Sequence, residues 1–266
     1  MSDVLILSGV RTAIGDFGGA LKNVPAADLG ALVIGEAIAR AGIAADAVGH
    51  VVMGNVIPST PSDAYLARVA AVRAGVPVAV PALTVNRLCG SGLQAIISAA
   101  QGIALGECGV AVAGGAENMS QAPHYVASAR FGQKMGDIQM LDALTRTLSD
   151  PFDQVHMGVT AENVAAQCGI DRAAQDEAAV ESHRRGARAI AEGRFRDQIV
   201  PVEIKSRGGT VMFDTDEHVR AEVTLEDMAR LRPAFLRHFL YFQKPLRQNK
   251  YPILALLLDC CHLMDL

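Results

Sequence analysis

The chain has 266 residues, of which half are hydrophobic and a fifth are charged, a balance typical of soluble globular proteins with a sizeable core. Its net charge of −4 and its pI near 6.0 give no electrostatic case for binding nucleic acid or an anionic membrane surface. We therefore expect neither a nucleic-acid nor a membrane partner.

Strand and helix patterns alternate over about the first 115 residues. Short apolar runs that end in turn residues predict strands, and apolar residues spaced three and four apart predict helices. The predicted strands cover residues 4–7, 48–57, 83–85 and 110–113. The predicted helices cover residues 26–41, 62–74 and 90–105. Repeated βαβ units predict an α/β layer with helices on both faces of the sheet and right-handed crossovers.

Three local features add detail to these elements. The continuous apolar run Val4 to Leu7 is typical of a strand buried on both faces. Ser62 and Asp63 are suitable caps for the start of the second helix. Ser91 is placed to satisfy backbone amides in the first turn of the third helix.

The alternation ends after Gly114 and Gly115. Residues 116–157 are predicted to be rich in loops, followed by a helix over 161–167 and a longer helix from the N-cap Asp171 to Gly193. We interpret this part as a subdomain inserted over the sheet. The last residues, 236–266, contain no glycine, and their closing apolar run is shorter than the roughly 18 residues of a membrane span.

Cysteine and histidine patterns limit the chemistry. The five cysteines include no C-x-x-C pair, and the seven histidines show no H-x-x-x-H spacing, so we expect neither a disulfide framework nor a metal. The opening MSDVLILSGVRTAIG has no basic segment before its short apolar run, which predicts no signal peptide and a cytoplasmic protein.

Cys89 is the candidate nucleophile. The pattern places it in a strand-to-helix turn, where the helix dipole and free backbone N–H groups stabilise a thiolate. Gly90 and Gly92 leave room for a substrate, and a helix-start N–H can bind the oxyanion formed when a thiolate attacks an acyl carbonyl. From the residues alone, the alternative is an inert buried cysteine.

Six segments carry a resemblance to one family. They are S-G-V-R-T-A-I-G-D-F-G-G (8–19), N-R-L-C-G-S-G-L-Q-A (86–95), A-G-G-A-E-N-M-S (113–120), H-M-G-V-T-A-E-N-V-A (156–165), D-T-D-E-H-V-R (214–220) and L-R-P-A-F (231–235). Together they resemble the thiolases, acyl-CoA:acyl-CoA C-acyltransferases, and above all the bacterial β-ketothiolases that act on short acyl chains. The resemblance implies a thiolase-like α/β core over residues 1–118, a loop subdomain covering coenzyme A over 119–235, and an atypical tail over 236–266.

The same resemblance implies roles for particular residues. Cys89 would be acylated by an acyl-CoA, and Leu148, His156 and Met157 would line the channel for the pantetheine arm. Arg220 would meet the adenosine end of coenzyme A. The implied partners are acyl-CoA and coenzyme A, which are substrates rather than cofactors, together with further copies of the chain in a homo-oligomer. The basic run 183–185 is either a solvated helix face or a contact for a nucleotide phosphate.

Simpler roles compete for three of these residues. His156 could be a hydrogen-bonded structural histidine, Met157 a core residue, and Arg220 a solvated surface charge.

The sequence departs from the thiolase pattern after residue 235. Thiolases carry N-E-A-F, G-H-P and C-x-G motifs in a second half that repeats the first, and none of the three occurs here. The paired Cys260 and Cys261 before His262 lack the surrounding glycines and do not replace them. The tail is the result of a reading-frame change, a spliced foreign end or a natural divergent end.

Three functions follow as alternatives. The first is acyl transfer through an acyl-Cys89 intermediate, in β-ketoacyl-CoA formation or thiolysis. The second is a truncated, non-catalytic remnant that binds coenzyme A or pairs with an intact thiolase subunit. The third, a ketosynthase-like enzyme, is disfavoured by the H-M-G segment and by the C-G-S-G context of Cys89.

Overall fold

A three-stranded parallel sheet forms the centre of the α/β core. The structure is a computed structural model that describes residues 3–206 and 208–235. The sheet contains β1 (His50–Gly54), β2 (Ala82–Val85) and β3 (Ala111–Gly115) in the order β2-β1-β3. Val52 of β1 pairs with Leu83 on one side and with Ala113 on the other. The predicted parallel α/β arrangement of these strands is confirmed.

Helices cover both faces of this sheet, as predicted. Val51 and Met53 are buried in a cluster with residues of α1 (Ala26–Arg40) and α2 (Leu66–Arg73). Val52 lies between them in sequence and packs against α3 (Ser91–Ala104) on the other face. Alternate strand residues point to opposite faces, so the short apolar strand β1 packs against the helices on both sides of the sheet. Each side chain so buried contributes about 1.5–3 kcal/mol relative to full exposure.

The start of α2 differs from the prediction. A short 3-10 helix over Pro61–Tyr65 precedes it, and the cap is Thr60 rather than Ser62. Asp63 occupies the third position of a capping box and accepts hydrogen bonds from Thr60 N and Ser59 N at 2.9 and 2.8 Å. The predicted cap residue Asp63 does belong to the capping box, but the N-cap itself lies two residues before Ser62.

The predicted buried strand at Val4 to Leu7 is wrong. No strand is present there, and the four side chains are 41% to 84% exposed. A buried strand needs hydrogen-bonded neighbours and apolar cover on both faces. Among the described residues, the sheet contains only β2, β1 and β3, and the run at 4–7 pairs with none of them.

Beyond Gly115 the chain forms small elements and two long helices. A two-stranded pair joins β4 (His124–Tyr125) to β5 (Leu141–Asp142). The remaining elements are α4 (Ala143–Thr147), α5 (Met157–Cys168), α6 (Arg172–Ala191), β6 (Val202–Ser206), β7 (Gly209–Phe213) and α7 (Leu225–Arg230). The hairpin β6–β7 and helix α7 were not predicted.

The observed ends of α5 and α6 can be compared with the predicted ones. Helix α6 begins after Asp171, whose side chain accepts a hydrogen bond from Ala174 N at 2.9 Å, as predicted. Helix α5 ends at Cys168, one residue beyond the predicted end, and is followed by Gly169 in a left-handed conformation, but it begins at residue 157 instead of 161. The earlier start follows from His156, whose ring nitrogen Nδ1 accepts from Gly158 N and serves as the cap.

The loop over residues 11–20 is fixed by two consecutive carboxylates. Asp216 receives two hydrogen bonds from the Arg11 guanidinium, at 2.7 and 2.9 Å, and one from Ile14 N at 2.8 Å. Glu217 accepts from the backbone N–H groups of Asp16 and Ala20. Two side chains from the end of the described chain thus hold a loop from its beginning.

The first compact unit of the chain ends at Leu231. The proposed boundary between residues 118 and 119 stays a prediction. The predicted atypical tail, residues 236–266, lies outside the described residues.

Candidate active site

Cys89 lies in a five-residue turn between the end of β2 and the start of α3, and its side chain is exposed. The preceding residue, Leu88, has φ = 49°, the left-handed region that side chains other than glycine seldom adopt. This conformation costs about 1–2 kcal/mol for a residue with a Cβ atom, so other contacts must hold it.

Two polar side chains supply those contacts. Ser91 is 5% exposed, and its hydroxyl accepts from Arg87 N at 2.8 Å and donates to Leu88 O at 2.7 Å. Asn86 accepts from Leu88 N at 3.0 Å and donates to Val56 O at 3.2 Å. The expected role of Ser91 in binding first-turn amides of α3 is therefore wrong. Its hydroxyl points back to the turn, and α3 has no side-chain cap bond.

The turn also connects to a half-buried carboxylate that was not predicted as a site residue. Glu117, which follows β3, accepts from Val56 N at 2.8 Å, from Ile57 N at 3.0 Å and from Asn55 Nδ2 at 3.0 Å. Burial raises the pKa of Glu117, and the two backbone hydrogen bonds partly oppose that rise. Hydrogen bonds thus run from Glu117 through Val56 and Asn86 to the residue before Cys89. The only sequence signal was the A-E-N run already used for the family resemblance.

A glycine allows the sheet to approach the start of α3. A Cβ atom on Gly54, the last residue of β1, would lie 2.7–2.9 Å from atoms of Ser91 and Gly92. Real Cβ atoms do not come this close to backbone, so the helix can begin here only because residue 54 has no side chain. The position of the Cys89 turn therefore depends on the end of β1.

The other described cysteines have different surroundings. Cys108 is half-buried, and desolvation, followed by the neighbouring charge of Glu107, raises the pKa of its thiol. Cys168 is exposed and is the last residue of α5. Cys89 precedes the first turn of α3, whereas Cys168 is the last residue of α5, so the two exposed thiols lie at opposite kinds of helix terminus.

The three residues predicted for the pantetheine channel lie together. Met157 N donates to Leu148 O at 2.8 Å, and an isolated bridge joins Ser149 to His156. Leu148 and His156 are half-buried, while Met157 is 45% exposed, which argues against a simple core role for the methionine. His156 does have the structural role considered as an alternative, because it caps α5.

Arg220 lies at a separate open cavity of about 760 Å³. Its backbone N–H donates to Nδ1 of His183 at 3.2 Å, so α6 and the loop before α7 meet here. The cavity offers two basic side chains and several apolar ones, with two carboxylates at its wall. It is lined by His183, Arg220, Ala221, Glu222, Val223, Asp227, Met228 and Leu231. The basic run at 183–185 therefore contributes its histidine to this cavity.

The other two members of that run make ion pairs. Arg184 and Arg185 both bind Glu181 along α6, and these hydrogen bonds lower the pKa of Glu181 to about 2. Within the described residues, no hydrogen bond joins the Cys89 turn to either the 148–157 group or the cavity. The assigned roles of Cys89, Leu148, His156, Met157 and Arg220 stay predictions.

The described part of the chain offers neither a cluster of metal ligands nor a membrane-spanning helix. Residues 3–206 and 208–235 contain no group of three or more His, Cys, Asp or Glu side chains placed to hold a metal ion. The helices in those ranges are all too short or too polar to cross a membrane.

Comparison with known families decides the classification. The family model described as the N-terminal domain of thiolase matches residues 4–238. The chain belongs to the thiolase family. The family assignment predicted from the six segments is thus confirmed, and so is the thiolase-like α/β fold of its N-terminal part.

Individual relatives agree with this classification. The thiolase chain is 61% identical over 235 residues to the beta-ketothiolase BktB of Cupriavidus necator, an alignment covering 88% of this chain and 60% of that protein. A crystal structure of the Bacillus anthracis acetyl-CoA acetyltransferase superposes with a TM-score of 0.83 at 45% identity, covering 86% of this chain and 58% of that one. Human mitochondrial 3-ketoacyl-CoA thiolase in complex with CoA gives a TM-score of 0.82 at 40% identity, covering 86% and 57%. The thiolase chain thus spans about 60% of the length of the curated relatives it matches.

Proposed function

We propose that this chain carries out the acyl-accepting half of acyl-CoA:acyl-CoA C-acyl transfer, with Cys89 as the residue acylated. The thiolate attacks the thioester carbonyl, and the tetrahedral intermediate collapses with cleavage of the bond between carbon and the coenzyme A sulfur. Cys89 then carries the acyl group as a new thioester. The cysteine proton goes to solvent, and the coenzyme A thiolate takes a proton from solvent.

The geometry of the Cys89 turn is the observation that carries this proposal. The thiol is exposed at the start of a 14-residue helix, and the strained Leu88 before it is held by Ser91 and Asn86. A backbone N–H at this helix start would bind the oxyanion of the tetrahedral intermediate.

Coenzyme A recognition is proposed at two further places. The Arg220 guanidinium suits the phosphates of the adenosine end, because a planar cation with several donors binds phosphate well. His183 adds a second basic group to the same cavity, and the 148–157 group would line the pantetheine arm. The relatives named as acetyl-CoA acetyltransferases and the thiolase solved with CoA support this choice of substrate.

Acyl transfer to the cysteine can be tested directly. The protein is mixed with isotope-labelled acetyl-CoA, quenched in acid, digested and mapped by mass spectrometry. We expect one acetyl group on the peptide containing Cys89, and none after Cys89→Ser. Cys168→Ser is the matched control, because it removes another exposed thiol and should leave labelling unchanged. An acetyl group mainly on Cys168 or Cys108 would refute the assignment.

The same measurement tests the adenosine end of the site. Arg220→Ala should raise the acetyl-CoA concentration for half-maximal labelling by about 10-fold, since a hydrogen bond to a charged group contributes about 1.5–3 kcal/mol. The final extent of labelling should stay the same. Arg230→Ala, an exposed arginine of α7 outside the cavity lining, is the control. Equal behaviour of the two variants would remove Arg220 from the proposed site.

A binding role without turnover is the second candidate. The 266 residues contain none of the N-E-A-F, G-H-P and C-x-G motifs that supply further catalytic groups in thiolases. A positioned base is worth about 10²–10⁴ in rate, so these residues alone would condense or cleave acyl-CoA slowly even with a reactive Cys89. Protection of Cys89 by free coenzyme A without any acetyl incorporation would favour this candidate.

A further inference from the structure

The residues around Cys89 leave little freedom for the backbone before it. The N–H and C=O groups of Arg87 and Leu88 are all hydrogen-bonded. The Ser91 hydroxyl binds Arg87 N and Leu88 O, and the Asn86 side chain binds Leu88 N. The fourth, Arg87 O, accepts from Gly90 N at 3.1 Å. Leu88 can therefore remain in its left-handed conformation without glycine's freedom.

Ser91 differs from the other serine of the same helix. It is almost completely buried against Gly54 of the sheet, and both of its hydroxyl bonds reach backward across the turn. Ser98, two turns later, only accepts a side-chain bond from Gln94 at 3.1 Å. A serine that only filled space at the start of α3 would not need to bind the two residues before the cysteine.

We infer that Ser91 and Asn86 are positioning residues for Cys89, holding Leu88 in the conformation that aims the thiol from the start of α3 toward an acyl-CoA carbonyl. Neither side chain takes part in the chemistry. Without the Ser91 hydroxyl, Arg87 N loses its acceptor, and the turn is free to relax toward an ordinary conformation. The thiol then leaves its place above the first turn of the helix.

The inference rests on the proposed function in its choice of electrophile, and it can be tested separately from that function. A haloacetyl thioester of coenzyme A alkylates a cysteine when the thiolate displaces the halide, which leaves as the ion, and forms a thioether. The maximal rate of inactivation reports how the thiol is aimed, whereas the half-saturating concentration reports binding. Iodoacetamide, measured in parallel and normalised to Cys168, reports thiol reactivity without coenzyme A.

Ser91→Ala should lower the maximal rate about 10- to 100-fold, because small displacements of a reacting atom have effects of this size. The half-saturating concentration should remain within about twofold of the original, since binding of coenzyme A is not altered. Ser98→Ala, the same substitution on the same helix, should change neither quantity. Asn86→Ala, at an exposed position, should lower the maximal rate in the same direction, and it decides the question if Ser91→Ala does not fold.

An unchanged maximal rate in a folded Ser91→Ala variant would overturn the inference. If Ser91→Ala does not fold, an unchanged maximal rate in Asn86→Ala would overturn it instead. So would an equal fall in Ser98→Ala. A wild-type protein that shows no saturation with the coenzyme A reagent would contradict the proposed function instead. The iodoacetamide rates would then decide the inference alone, with slower modification of Cys89 in Ser91→Ala supporting it and equal rates refuting it.

Discussion

Replacing Gly54 with alanine is expected to lower the free energy of unfolding by about 1–3 kcal/mol, the usual effect of overpacking a filled site. The new Cβ atom would lie 2.7 Å from the carbonyl carbon of Ser91, 2.8 Å from its Cβ and 2.9 Å from Gly92 N. Two of these atoms are backbone, which cannot turn away as a flexible side chain can. Strand β1 and the start of α3 must therefore separate.

Urea denaturation followed by circular dichroism measures this effect. Gly35→Ala is the matched control, since residue 35 lies inside α1 and a Cβ atom there would have nothing within 4 Å. Alanine is a better helix former than glycine, so the control should be more stable by about 0.5–1 kcal/mol. If the glycine-to-alanine change lowers the free energy of unfolding at residue 54 and raises it at residue 35, steric contact and not backbone entropy determines the effect at Gly54. Equal shifts for the two variants would contradict this explanation.

Asp216→Asn is expected to destabilise the protein by about 1–3 kcal/mol. Breaking a fully buried ion pair costs about 3–5 kcal/mol, and the Arg11 side chain is 30% exposed, so solvent reduces the loss. The substitution leaves Arg11 without its paired charge and weakens the acceptor for Ile14 N. Asp28→Asn is the control, because the pair of Asp28 with Arg73 is about half exposed and should contribute less than about 1 kcal/mol.

This ion pair also predicts a dependence on pH. Hydrogen bonds from Arg11 lower the pKa of Asp216 in the folded protein. A carboxyl group whose pKa is lowered on folding stabilises the protein above its unfolded pKa of about 3.9, and this contribution is lost as pH falls through the folded value. The difference in unfolding free energy between the original protein and Asp216→Asn should therefore shrink as pH falls below about 4. A difference that stays constant from pH 7 to pH 3 would contradict this account.

Elements with local signals were the ones that sequence could predict. Helix α1 carries apolar spacing, and helix α6 was predicted from its cap Asp171, which acts within four residues of its own position. The strand predicted at residues 4–7 failed because a strand is defined by neighbours that lie far away in sequence. The hairpin β6–β7 is an exception, because its first strand alternates apolar and polar residues over 202–205 and a glycine pair follows at 208–209, yet this local signal was not used.

In the candidate site, too, only the residue with a local sequence pattern could be predicted. Cys89 could be located from its glycine-flanked turn, which is a local pattern. The bonds of Ser91 could not, because a serine at a helix start can bind forward into the helix or backward into the turn, and only packing against Gly54 selects between these options. The meeting of His183 with Arg220 joins residues 37 positions apart and has no signal in either segment.

The two carboxylates that fix the loop at residues 11–20 also set an order of events during synthesis. Asp216 is 205 positions after Arg11, so the loop cannot reach its final contacts until nearly all of the described chain has been made. At about 5–20 residues per second, a ribosome needs roughly 10–40 s to cover that distance. A loop near the beginning of the described residues consequently forms its final contacts only after a segment about 200 residues later has been synthesised.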